Sequence, residues 1–395
     1  MNLFLPLEQH TRSLLDDIPA LIEKTFPLPA RFRRTLPADV AELSRLLTSG
    51  RGERGLSYPG QPRFLSAYLR FYLPWNLYRL CRLLPGLDLT LAANDRITDL
   101  GCGPLTFAAA LWISRPELRS LPLEFQCVDK SGPALDAGKR FFAALAGETW
   151  KIHTIKSDVH SVSLKPAALV CAVNVFNEMH GDISSWKTEN IRRNAEKAAA
   201  LLAGLSLQTG ALQTGRTLPA APAAILVAEP GFPRCGEFIS MLRGDLITHG
   251  HQPVSPCPHN DICPFPGGGF GKQSSARQKS RWCHFAFETG DAPPALLRLS
   301  QAAGIPKERA VLSFIFTKAG DPVHEGVNLR IISDAFKLPR GRFGRYCCCR
   351  HGLALLAGEK ETVEKTASGS LVHAHFIKGA RDTKSGALMA VHPVD

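Results

Sequence analysis

The chain reads as an α/β protein built on a parallel sheet, and two patterns in the sequence predict this. From about residue 95, short apolar runs alternate with helical stretches, as expected when crossover helices lay strands side by side. One of these runs, RITDLGCGP at residues 96–104, passes into a glycine turn that opens a helix. A turn of that kind lets a ligand approach the backbone where a side chain would block it. With 395 residues, 45% hydrophobic and 21% charged, the chain has the composition of a globular protein of about two domains rather than a disordered one.

Residues 1–90 are expected to form a helical N-terminal region, since TRSLLDDIPALIEKTF and FLSAYLRFYLPWNLYRLCRLL carry apolar residues at helical spacing. Arg63, Arg70, Arg79 and Arg82 interleave there with Tyr68, Tyr72, Trp75 and Tyr78. Such aromatics suit a core better than a stacking platform for RNA. Residues 91–320 are expected to form the α/β domain. Its strands are predicted at Arg96–Asp99, Glu124–Val128, Lys151–Ile155, Ala168–Val173 and Ala224–Ala228, with helices at Pro133–Ala146 and Ser185–Leu205. SLQTGALQTGRTLPAAPAA reads as a connection without chemistry, and PGGGFGKQSSARQKS as a loop inside a cysteine-rich insertion at 255–285. Regularity breaks after residue 230, and VLSFIFTK, VNLRIIS and LVHAHFI read as strands of a small C-terminal β-rich unit, 321–395 with its approach.

The polar residues of the α/β domain fall in order at the carboxyl ends of the predicted strands, where open α/β sheets bind ligands. Asp99, Gly101 and Gly103 follow the first strand, and Asp129 in FQCVDK ends the second. Asp158 in KSDVH follows the third, and Asn174, Asn177 and Glu178 in AVNVFNEMH follow the fourth. The third glycine of the dinucleotide fingerprint is missing. The pattern instead looks like the first motif of class I methyltransferases. That resemblance implies a Rossmann-like core binding S-adenosylmethionine, with Asp129 on the ribose hydroxyls and Asp158 near the adenine edge. No Asn-Pro-Pro-aromatic acceptor motif is present, so no catalytic residue is assigned.

Eleven cysteines without a secretory leader point to metal ligation where they cluster. Cys81, Cys102, Cys127, Cys171 and Cys235 are scattered and read as small buried hydrophobes. Cys257, Cys263 and Cys283 gather in SPCPHNDICP and RWCHF, and a fourth ligand is offered by Cys347, Cys348 or Cys349 in RYCCCRHG. Spacing leaves zinc and a four-iron cluster both open.

Taken together, SAYLRFYLPWNLYRL, DLGCGP, FNEM, AEPGFPRCGEF, PCPHNDICP, WCHF and RYCCCRHG resemble the small-ribosomal-subunit-associated methyltransferase-like family, found in bacteria and as mitochondrial assembly factors. The resemblance implies a 4Fe-4S cluster, with zinc as the alternative, held by Cys257, Cys263, Cys283 and Cys348. Cys348 is the fourth because it precedes Gly352 by the family's usual interval. The implied partner is the small ribosomal subunit and its rRNA, with the protein acting as an rRNA methyltransferase or an assembly factor. The Cys263–Cys283 spacing is longer than the family's usual one.

A net charge of +12 favours such a polyanionic partner. Arg340, Arg342 and Arg345 are the expected RNA contacts in the basic stretch around the terminal cysteines. Neither a DNA partner nor a membrane is expected: no apolar run approaches about 18 residues, and the compartment is read as cytoplasmic. The competing function is a small-molecule methyltransferase with a structural zinc site.

Overall fold

The computed structural model describes residues 2–48, 61–179, 187–206, 222–265, 281–321 and 328–391. The two expected loops, over 207–221 and 266–280, and the start of the helix predicted from Ser185 lie outside the described residues.

The central sheet is mixed and eight-stranded. Its strands are β1 (Arg96–Leu100), β2 (Glu124–Asp129), β3 (Lys151–Lys156), β4 (Leu169–Val173), β5 (Ala224–Pro230), β6 (His251–Ser255), β7 (Phe285–Glu288) and β8 (Arg309–Ala319). Their order is β3-β2-β1-β4-β5-β8-β6, with β7 also paired to β8. β1 to β5 are mutually parallel, while β8 runs antiparallel to β5, β6 and β7. The first five strands are the ones the apolar runs predict, with ends shifted by a residue or two. VLSFIFTK belongs to β8 in this central sheet, which corrects its expected place in the terminal unit. Every inward position of β8 packs on a core face, and the segment is buried from Leu312 to Thr317.

Helices cover both faces. α1 (Gln9–Thr25), α2 (Ala30–Leu47), α3 (Pro62–Ala67), α4 (Leu73–Leu83), α5 (Thr106–Ser114) and α6 (Gly132–Ala146) lie on one side, sharing a core with Ile97, Phe125 and Leu226. α7 (Phe176–Met179) is a single turn after β4; α8 (Thr188–Leu205) and α9 (Pro233–Thr248) cover the other face, against Leu100, Val170 and Ile225. The two faces alternate along each strand, so a doubly covered sheet reads as continuous apolar runs. α5 is apolar nearly all round because it is wedged between sheet and α4. α10 (Pro294–Ala302) precedes β8.

A second sheet follows, formed by β9 (Asn328–Ile331), β10 (Phe336–Lys337), β11 (Phe343–Cys349), β12 (Gly352–Gly358), β13 (Leu371–His373), β14 (His375–Arg381) and β15 (Leu388–Val391), with α11 (Lys360–Lys365) between β12 and β13. Its order is β13-β9-β11-β12-β15-β14, with β10 on β11. The extreme N-terminus stitches the two sheets together. Leu3 N–H donates to Gly369 O, while Phe4 packs among Phe285, Phe287 and Phe314 of the central sheet. Among the described residues, no helix is long and apolar enough to cross a membrane.

Candidate functional site

The chain runs from β1 outward through β2 and β3, then returns to place β4 on the other side of β1. The gap so created at the carboxyl ends of β1 and β4 is the topological switch point, where ligands bind in such sheets. Gly101 and Gly103 both have left-handed backbone there, at φ +64° and +53°. Gly101 is also demanded by packing, because a Cβ would stand 2.5 Å from Val175 Cγ2. Gly103 differs: among the described residues, the only atom near its missing Cβ is the Tyr68 hydroxyl, at 4.0 Å. The space above it is open to a ligand.

Asp129 is held rigidly beside this turn, its Oδ2 accepting from Gly103 N at 2.9 Å and its Oδ1 from Ser131 N at 2.7 Å. Burial raises its carboxyl, and those two N–H groups pull it back down. Asp99 lies underneath, 1% exposed. Its Oδ1 meets Cys171 Sγ at 3.5 Å, and its buried Oδ2 has no partner among the described residues. Burial pushes this carboxyl up to about 8. Asp99 also lies with Cys102 and Cys127 in a tight buried group.

The remaining residues expected at the pocket divide by what already occupies them. Asp158 forms an ion pair with Lys130 at 2.7 Å and sits on the rim. Asn174 marks the end of β4 with φ +58°. Asn177 is buried, and its Nδ2 donates to Glu229 Oε2 at 2.8 Å, so this amide braces the wall. Glu178 is exposed.

Sequence reasoning missed Glu229 and Tyr68. Glu229 ends β5 and receives the N–H groups of Val175, Phe176 and Asn177 as well as the Asn177 amide. It thereby fixes the turn from β4 into α7, although burial pushes its carboxyl up to about 7. Four N–H donors and no acceptor favour the ionised form. Its signal was the acidic residue at the end of an otherwise apolar strand. Tyr68 comes from the N-terminal helices, and no local pattern ties it to a turn 35 residues later.

A second constellation lies between α9 and the C-terminal sheet. Cys257 and Cys263 come from the segment after β6, Cys283 from the approach to β7, and Cys348 from β11. Burial raises the thiols of Cys283 and Cys348, and each is raised further by both Cys257 and Cys263. The strand's two-residue period settles which of the three adjacent cysteines turns this way. Cys347 and Cys349 point into the core of the C-terminal sheet, while Cys348 joins the core of the larger body. Arg243 Nε lies 3.2 Å from Cys257 Sγ, and its terminal nitrogen donates to the carbonyls of His259 and Asp261 at 2.8 Å. Burial would lower Arg243, yet Cys257, Cys263 and Cys348 leave it raised. Arg330 lies in the same field, donating to Pro256 O at 2.8 Å. His259 Nε2 is 3.4 Å from Cys348 Sγ. Trp282 lies against Gly236 and donates to Gly231 O, joining the AEPGFPRCGEF and RWCHF pieces in space.

The expected basic patch is smaller than the sequence suggests. Arg340 and Arg342 are exposed, but Arg345 is 8% exposed and donates to the carbonyls of Val363, Ser333 and Glu364. Arg345 is a structural tie and is corrected out of the phosphate-facing set: its donors are consumed inside the protein.

The mixed sheet, with one reversed strand near its edge, has the strand order of a doubly wound, Rossmann-like fold. Three of the solved structures to which the chain is similar are methyltransferases by their descriptions. A putative class I S-adenosylmethionine-dependent methyltransferase from Listeria monocytogenes is 10% identical, covering 80% of this chain and 89% of its own at a TM-score of 0.33. Magnesium protoporphyrin IX methyltransferase from Synechocystis PCC 6803, with bound SAH, is 10% identical over 71% and 99%, TM-score 0.34. The Haloferax volcanii complex of the Trm112 methyltransferase activator with a putative methyltransferase gives 10% over 64% and 91%, TM-score 0.30. At these scores the strand order, rather than the superposition, carries the fold. Among curated proteins nothing matches. Residues 215–386, which hold all four converging cysteines and most of the C-terminal sheet, match the family described as mitochondrial small ribosomal subunit Rsm22, the family to which the sequence motifs themselves point.

Proposed function

We propose that this protein binds S-adenosylmethionine at the β1–β4 switch point, holds a 4Fe-4S cluster on Cys257, Cys263, Cys283 and Cys348, and acts on the small ribosomal subunit and its rRNA. It would serve there as an rRNA methyltransferase or as an assembly factor. The observation that carries the reading is the convergence of four thiols from three separate segments beside two buried guanidinium groups, within the stretch that matches the Rsm22 family.

The donor set suits a cluster. Four thiolates would be too costly to bury without a cation, and Arg243 and Arg330 offset the residual negative charge. A tetrahedral zinc, with Zn–S near 2.3 Å, needs its sulfurs about 3.8 Å apart. Among the described residues, the group whose ligand atoms all lie within 4.8 Å of one another is Asp99, Cys102 and Cys127, not these four thiols. A multi-iron centre accepts ligands drawn from distant segments, and its part here would be to brace two sheets.

For the methyl donor, the open space over Gly103 and the unpartnered Asp99 Oδ2 fit a ligand with several polar groups. S-adenosylmethionine supplies an electrophilic methyl carried on a sulfonium. Gly101 and Gly103 let it approach the backbone, Asp129 orients a ribose hydroxyl, and Glu178 lies on the acceptor side at the end of β4. Arg340 and Arg342 would hold phosphate, with Arg345 fixing the strand behind them.

Anaerobic purification followed by iron, sulfide and zinc analysis tests the first half: about four irons per chain are expected, and stoichiometric zinc rejects the cluster. Retention on small-subunit particles tests the second. It should fall steeply with salt and weaken in the Arg340→Glu, Arg342→Glu double variant; unchanged retention removes that patch.

A further inference from the structure

Between α3 and α4 the helix widens into a π-helical turn over Tyr68–Tyr72. The cause is in the sequence. Pro74 has no N–H to donate and its ring crowds the carbonyl four residues earlier, so the helix relieves the clash by opening the turn before it. The widened turn stacks Tyr68 on Tyr72, ring centroids 5.6 Å apart, and carries Tyr68 to the glycine turn after β1. Its hydroxyl lies 4.0 Å from where a Cβ would stand on Gly103, within the fields of Glu178 and Asp129.

The groups behind Tyr68 bias the direction of its proton. Arg79 Nη1 donates to Asn76 Oδ1 at 3.0 Å. An amide whose oxygen is taken by a guanidinium turns its NH2 the other way, and the Asn76 amide eases ionisation of the Tyr68 hydroxyl, as an N–H turned toward that oxygen does. The phenolic oxygen therefore accepts from Asn76, and its O–H is left to donate on the far side, toward the space over Gly103. Asn76 is 5% exposed, so the relay is rigid. Burial lowers the Arg79 guanidinium, and Tyr72 and Tyr68 raise it.

We propose that Tyr68 is a ligand-contacting residue of the methyl-donor pocket, donating its hydroxyl proton to the carboxylate of the amino-acid end of S-adenosylmethionine or its demethylated product. The N-terminal helices then supply one wall of the pocket, and the relay Arg79–Asn76–Tyr68 presets the donor before the ligand arrives. This rests on the reading of the switch point as the donor site. It adds a carboxylate contact to the ribose contact given by Asp129.

Isothermal titration of the full chain with S-adenosylhomocysteine and with methylthioadenosine, which lacks the amino-acid end, tests the contact. Tyr68→Phe keeps the ring and its stack on Tyr72 while removing the hydroxyl. It should weaken S-adenosylhomocysteine about tenfold, the value of a hydrogen bond to a charged group, and leave methylthioadenosine unchanged, with the melting temperature preserved. Equal loss for both ligands would move the contact to the nucleoside and overturn the carboxylate assignment. No loss for either, while Asp129→Ala weakens both, would overturn the role of Tyr68 alone. No loss in Tyr68→Phe or Asp129→Ala would remove the donor pocket itself.

Discussion

The donor pocket and the thiol centre lie in one body and are built on opposite plans. In the pocket the protein satisfies its own charged groups first: Asp129 is held by Gly103 and Ser131, and Glu229 by four N–H donors. A ligand there would meet groups already set in place. In the thiol centre burial raises the thiols of Cys263, Cys283 and Cys348, and their mutual fields add to the cost of ionising them. A pocket of the first kind stands without its ligand, whereas a centre of the second kind depends on what it holds.

The largest expected effect follows from that dependence. Cys263→Ser or Cys348→Ser should lose iron and more than about 4 kcal/mol of stability, beyond what an ordinary side-chain contact gives. Limited proteolysis should then cut both near residue 265 and within the C-terminal sheet. Cys347→Ser, on the other face of β11, should keep its iron. Equal iron loss in Cys347→Ser and Cys348→Ser would break the contrast between the faces.

Next comes the brace of the pocket. Glu229→Gln sets an NH2 group against N–H donors and should cost about 2 kcal/mol in denaturant unfolding, with iron content unchanged. Asp129→Ala should weaken S-adenosylhomocysteine about tenfold or more in calorimetry, with a smaller loss of stability because the Gly103 and Ser131 N–H groups it leaves are only part-buried. If Asp129→Ala unfolds the protein instead, the pocket is not independent of its ligand and the distinction drawn above fails.

The most gradual effect is a pH dependence. The Asp99 carboxyl, raised from 3.8 to about 8, favours the folded state while protonated. That contribution is complete below pH about 4 and is lost as pH rises through about 8. Asp99→Asn should remove this slope, so that its melting temperature relative to wild type climbs between those two values. A parallel pair of curves would mean that Asp99 does not titrate in the folded protein.

What could be read from the residues, and what could not, follows the range of the interaction concerned. β1 to β5 and the Gly101–Gly103 turn were legible because parallel strands covered on both faces must be apolar throughout, and a tight turn with left-handed backbone favours glycine. The insertion of β8 between β5 and β6 was not legible, because antiparallel pairing between residues about 90 apart leaves no local mark. Arg345 misled because a count of positive charges treats every arginine as exposed, whereas this one ties β11 to α11. The ambiguity of RYCCCRHG was resolvable in principle: a strand alternates, so one of the three cysteines must oppose the other two.

That alternation has a consequence for assembly. During folding β11 must find its register against β9 and β12, and a slip of one residue turns every side chain to the opposite face. In most strands such an error would bury polar groups and bare apolar ones. Here the tandem cysteines make the error partly silent, because a slipped β11 would still present sulfur to Cys257, Cys263 and Cys283. On the proposed cluster assignment, metal capture would begin before the register is final. The three carbonyl contacts of Arg345 would then distinguish the correct alignment from its neighbours, so that on this assignment recruitment of the metal and proofreading of the strand would fall to different residues.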